Sequence, residues 1–144
     1  MAAAIAAMIP CAEGAASCSV PAAGSLAFTY NVFSSTPAYA NGSAHISCKQ
    51  NNVPVTVSLD SGANSTTVNP RKMKLGSDLL AYLIYSDSGY TTLFGNGSNG
   101  GSTLVVTTGV KNVSFPITLY GEITAGQDVG QGPYSDTINV TFSF

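Results

Sequence analysis

A chain of 144 residues is long enough for one domain with a sizeable core, and two domains are not expected. Charged residues make up only 8% of it, and five basic against seven acidic groups leave a formal charge of −2, too small and scattered to steer nucleic acid or an anionic membrane. Ser, Thr, Asn and Gly instead separate Val, Ile, Leu, Tyr and Phe, a composition suited to sheets with hydroxyl and amide surfaces.

Ala2 to Ile9 form an apolar run too short to cross a bilayer, which takes about 20 apolar residues, so no membrane span is expected. With Pro10 to Ala15 as a polar run-out and small residues at Gly14, Ala15 and Ala16, residues 1–16 read as a secretory signal preceding a domain of residues 17–144. No Lys or Arg precedes the run, so either the true start lies upstream or the segment is not a signal. If it is retained, Ala3, Ile5, Ala7 and Ile9 alternate with Ala2, Ala4, Ala6 and Met8, and such small side chains should fill a groove poorly. Cleavage discards Cys11 and leaves Cys18 and Cys48. An even pair in an exported chain predicts a disulfide, with two buried free thiols as the alternative.

Helical periodicity is scarce beyond residue 17. Leu26, Phe28, Tyr30 and Val32 alternate with polar or small residues, as do Ala44, Ile46 and Cys48, and then Val53, Val55, Val57 and Leu59 before the turn at Asp60-Ser61-Gly62. Thr66 to Gly76 is a more polar strand or loop whose cluster of Arg71, Lys72 and Lys74 reads as a solvated edge guarding against random pairing. Leu79 to Tyr85 is apolar on both faces and should be a central strand. Asn96 to Ser102 reads as a flexible linker, Leu104 to Val106 as the next strand, and Val113, Phe115, Ile117 and Leu119 as another, with Pro116 marking an edge or bulge. At the end Ile138, Val140, Phe142 and Phe144 fall on one face, with Thr137, Asn139, Thr141 and Ser143 on the other. About seven short strands and no helix predict an all-β chain, a sandwich of immunoglobulin type. The last strand has nothing after it to cover its far edge, so another polypeptide is expected to supply the missing piece.

Catalytic chemistry is thin. A triad would have to use His45, which falls on the outward face of its strand, and Asp60, Asp78, Asp87 and Asp136 are scattered. Asp87 and Asp136 follow turn logic, each placed to bind backbone amides. No grouping of Cys and His suggests metal, so neither enzyme activity nor a cofactor is expected. Tyr82, Tyr85, Tyr90, Tyr120 and Tyr134 could form a sugar-binding face, although packing in the sheets is the first expectation. Five Asn-x-Ser/Thr sequences, at Asn41, Asn64, Asn96, Asn112 and Asn139, match what chance gives in a chain this rich in Asn and Thr.

Four stretches in order resemble the spore coat protein U domain family, which includes the pilins of the archaic chaperone-usher pathway. They are Arg71-Lys72-Met73; Tyr82 to Asp87, with Tyr85 inside it; Tyr120 to Gln127, containing Gly121 and Gly126; and Gly132 to Asp136 before the alternating terminal strand. Cys18 and Cys48 stand where the family's disulfide would be. The resemblance implies an incomplete immunoglobulin-like sandwich lacking one strand, in a structural subunit of a bacterial surface fibre or coat, exported through the periplasm and displayed at the cell surface. Its implied partners are a periplasmic chaperone, an outer-membrane usher and neighbouring pilin subunits, and its strand-exchange groove would lie along Tyr134, Ile138, Val140, Phe142 and Phe144. Four large apolar side chains on a donated strand are worth roughly 6 to 12 kcal/mol before costs, comparable with the stability of a whole domain. Cleavage at Ala16 would leave only Ser17 before the first cysteine, so a subunit that accepts a strand but does not give one is implied. The rival expectation is a self-contained secreted carbohydrate-binding or adhesive module.

Overall fold

The structure is a computed structural model and describes residues 2–13, 17–20 and 24–144; within the first strand it places the side chains of Ala4, Ala6 and Met8. The cleavage site expected at residues 14–16 lies outside the described residues. Ten strands follow in chain order: β1 (Ala2–Glu13), β2 (Cys18–Ser19), β3 (Ser25–Tyr30), β4 (Ala38–Cys48), β5 (Pro54–Leu59), β6 (Arg71–Leu75), β7 (Asp78–Tyr85), β8 (Leu104–Thr107), β9 (Phe115–Ile123) and β10 (Tyr134–Ser143). Expectation was about seven; the additional three are β1, the two-residue β2 and the polar β6. The described residues include no helix long and apolar enough to cross a membrane.

The alternations of sequence become the inward faces. Leu26, Phe28 and Tyr30 of β3, Val55, Val57 and Leu59 of β5, and Ile138, Val140 and Phe142 of β10 are all buried, because period-two side chains share one face of a pleated strand. The strand path runs β2-β4-β9-β7-β6-β10-β1-β3, with β5 and β8 branching from β10. Its two ends meet: Leu26 and Phe28 of β3 sit against Gly121 of β9, and Leu26 also against Gly42 of β4, so the path closes on itself as an immunoglobulin-like sandwich. A Cβ at Gly121 would collide with the Phe28 ring, which requires glycine there. As expected, β7 is central, between β9 and β6. Pro116 pairs with His45 of β4, while β7 reaches only the other end of β9, so the proline has no ladder to break on its second side.

Cys18 and Cys48 face each other in the β2–β4 ladder and form a disulfide that closes a separation of 30 residues. The loop expected as a flexible linker is cross-braced instead. Asn96 accepts from the backbone amides of Ser98 and Asn99, and the Asn99 side chain donates to the Leu59 carbonyl at 3.0 Å, tying the loop to β5. Phe94, just before it, is fully buried.

Candidate functional site

The far edge of the terminal strand is covered by the chain's own first strand. β1 pairs with β10 in parallel from Ala4 beside Tyr134 to Glu13 beside Ser143, while the neighbouring strands pair antiparallel. Its other edge pairs antiparallel with β3 over Ala2 to Ala7. On its opposite edge β10 meets β6 at Ser135 and then β5 from Val140 to Ser143, so only the β1 side is closed by a single strand along its whole length. Tyr134, Ile138, Val140 and Phe142 face inward and are buried, whereas Phe144 lies beyond the strand and is half-buried.

The side chains described on β1, those of Ala4, Ala6 and Met8, face inward and are buried. Alanine fills this slot because its neighbours are large: Ala4 lies between Phe28 and Tyr134, and Ala6 between Leu26 and Asp136. The expectation that small side chains leave a groove poorly filled therefore fails where β3 flanks β1. Past Ala7 that flank ends, and there the larger Met8 packs beside Ile138.

Behind the cleft lies a polar lock built from three of the family motif positions. Arg71 was expected at a solvated edge, but it is completely buried, and β6 lies between β7 and β10. Arg71 and Met73 share the inward face of β6 while the partly buried Lys72 and exposed Lys74 face out; the period-two partnership with Met73 is the signal that charge counting missed. The guanidinium donates from Nε and Nη2 to the Asp60 carbonyl at 2.9 and 2.7 Å and from Nη2 to the Phe94 carbonyl at 2.8 Å. Burial lowers its pKa to about 10, with Tyr82, Asp60 and Asp136 opposing that shift.

Asp136 does not sit in a turn. It is buried on β10, where one carboxylate oxygen accepts from the Ala63 amide at 2.9 Å and the Asn64 side chain at 3.0 Å, and the other from the Tyr82 hydroxyl at 2.6 Å. Burial, then the Asp136 carboxylate, drives the Tyr82 pKa well above the usual phenol range. Asp60 stitches the same region from outside: its carboxylate accepts from the Gly62 and Asn139 amides and from the Asn139 side chain. The remaining motif positions do related work. Gln127 behaves as a missing strand, pairing its side-chain amide with both backbone groups of Ala81 at 2.7 and 2.8 Å just where β9 has ended. Gly126, with φ +75°, turns the chain into position for it, and Gly132, with φ +147°, passes against Leu75.

Tyr85 and Asp87 belong elsewhere, on the outer face of the β4–β9–β7 sheet. Asp87 does follow turn logic, accepting from the amides of Thr91 and Thr92 and from the Thr91 hydroxyl. His45 is half-buried on the outward side of β4, whose inward residues are Ala44, Ile46 and Cys48. Among the described residues no three His, Cys, Asp or Glu side chains gather in a way that could hold a metal.

An immunoglobulin-like sandwich whose last strand is closed by the chain's own first strand, over a buried Arg–Tyr–Asp cluster, defines the class. The chain belongs to the Spore Coat Protein U domain family, whose model matches residues 4–141. It is similar to Protein U of Myxococcus xanthus, with 29% identity over 113 residues covering 74% of this chain, and it spans 60% of that relative's length. Among solved structures, a chain of the CsuC–CsuE chaperone–tip adhesion subunit pre-assembly complex from archaic chaperone-usher Csu pili of Acinetobacter baumannii shares its fold. The TM-score is 0.50 at 24% identity, over 88% of this chain and 39% of that one.

Proposed function

We propose that this chain is a structural subunit of a bacterial surface fibre or coat, exported through the periplasm and completed by a strand laid along β10. The observation that carries this reading is the β10 edge itself. From Tyr134 to Ser143 it is satisfied by one strand, and that strand is drawn from the residues whose composition reads as a secretory leader. Removal of residues 1–16 on export would take β1 away and expose the backbone edges of β10 and β3 with Leu26, Phe28, Tyr134 and Ile138 between them. A periplasmic chaperone, and afterwards a neighbouring subunit at the usher, would then supply the strand by β-augmentation. Family membership supports the assembly role, and the shared fold supports a sandwich that can lodge a foreign strand.

The packing also says what an entering strand should carry. Small residues suit the positions of Ala4 and Ala6, where Leu26 and Phe28 crowd the slot, and larger apolar residues suit the stretch opposite Ile138, Val140 and Phe142. The inward side chains of Ala4, Ala6 and Met8 bury apolar surface worth about 3 to 5 kcal/mol. A donor larger over the second half of the strand would compete successfully with β1.

One observation favours the rival reading of a self-contained secreted module: β1 already closes the seam. The two readings separate in one experiment. The N-terminus of the exported protein is mapped by mass spectrometry, and residues 17–144 are melted alone, with a peptide of residues 2–13, and with the cognate chaperone. A start near Ser17, together with a melt raised sharply by peptide or chaperone, supports strand exchange. An exported chain retaining residues 2–13 and indifferent to chaperone supports the self-contained module.

A further inference from the structure

The outer face of the β4–β9–β7 sheet carries a feature unconnected with the strand cleft and independent of the reading above. Tyr39 of β4, Tyr120 of β9 and Tyr85 of β7 project from adjoining strands, and Tyr90 of the following loop settles among them. Its ring centroid lies 4.8 Å from Tyr39, 5.4 Å from Tyr85 and 6.1 Å from Tyr120, each pair edge-to-face. Glu122 stands opposite Tyr39 in the ladder and accepts the Tyr85 hydroxyl at 3.1 Å. The sequences of β4, β9 and the loop of residues 86–92 contain no Lys or Arg, and Asn41 and Thr118 continue the same face.

The loop is built at a cost. Tyr90 adopts φ +54°, a left-handed conformation unfavourable for a bulky residue, and Asp87 holds it there through the Thr91 and Thr92 amides. The result is an aromatic ring on the outside of the sheet. Tyr39 beside it remains 55% exposed.

Each element of this face restricts the occupant. Aromatic rings receive apolar faces and attract cations. Glu122 lacks a basic neighbour on β4 or β9, which disfavours an anionic ligand and leaves a carboxylate for a cationic one. Amide and hydroxyl side chains match a row of hydroxyls, which a lysine-rich peptide does not offer. We propose that this face binds an amine-bearing polysaccharide, its sugar rings and ammonium groups held by Tyr39, Tyr90 and Glu122.

The test titrates the full chain with chitosan oligosaccharides, with fully acetylated chitin oligosaccharides of equal length and with polylysine, by calorimetry and by tyrosine fluorescence, the chain having no Trp. Chitosan oligosaccharides should bind roughly tenfold more tightly than either comparison, and added salt should weaken them. Tyr39→Ala and Glu122→Gln should each lower that affinity by roughly tenfold at an unchanged melting temperature. Tyr90→Gly should lose binding while the chain still folds cooperatively, since relief of the left-handed backbone offsets part of the ring packing that it removes. Equal binding of the acetylated oligosaccharide or of polylysine, no binding of chitosan, or variants that bind as the parent does would each overturn the proposal.

Discussion

Tyr82 donates its hydroxyl hydrogen to Asp136 across 2.6 Å, joining β7 to β10 through the interior of the sandwich. The bond places a buried carboxylate at the base of the strand that β1 covers, with the Arg71 side chain close by. Replacement by Tyr82→Phe keeps the packing and removes one of three donors to that carboxylate. A loss of about 1.5 to 3 kcal/mol is expected, measured by urea unfolding of parent and variant. A loss below half a kcal/mol would mean that water takes the donor's place.

Arg71→Lys should cost about 2 to 3 kcal/mol although the charge is kept. A lysine cannot reproduce the fork that reaches the Asp60 and Phe94 carbonyls together, and it brings a strongly hydrated ammonium into a site with no water exposure. Urea midpoints measure the loss, and amide exchange at Phe94 and Asn99 should rise in step, because the guanidinium pins that loop.

Acid should loosen the loop that carries Tyr90. The amides of Thr92 and Thr91 and the Thr91 hydroxyl hold the Asp87 pKa below its ordinary 3.8 in the folded chain. A carboxyl depressed by folding stabilises above its unfolded pKa, and that stabilisation disappears as pH falls through the folded value. The Thr92 amide resonance followed from neutral pH downward should therefore move with a midpoint below 3.8. Asp87→Asn should abolish the transition.

Reduction of the Cys18–Cys48 bond should lower stability by about 3 to 4 kcal/mol on the chain-entropy argument, since it frees a loop of 30 residues in the unfolded state. Comparison of oxidised and reduced full chain in urea measures it. Cys18→Ser should match the reduced parent, with Cys48 then a buried thiol.

Period-two alternation makes most of the fold legible in the sequence. Ile138, Val140 and Phe142, Val55 and Val57, and Leu26 and Phe28 all took the faces their spacing required, because a pleated strand allows only two. What stayed hidden involved partners distant in sequence. Nothing local in Arg71 announces that the Asp60 and Phe94 carbonyls await it, and charge alone pointed outward; only Met73, two residues on, hinted otherwise. Ala4 and Ala6 looked too small for a core because Phe28 and Tyr134, which fill the space around them, belong to the chain's third and last strands. The same holds for the outer face, where Tyr39 lies outside the clear alternation of Ala44, Ile46 and Cys48 and joins the sheet because β4 begins at Ala38.

The parallel ladder fixes the direction of travel for anything that takes β1's place in the same sense. Its carboxyl end must leave beside Ser143, and its amino end must enter beside Tyr134. A substitute segment spliced directly ahead of Ser17 would drop into register over a short connection. The same segment appended after Phe144 would first have to run back along all ten residues of β10, about 33 Å, before it could start.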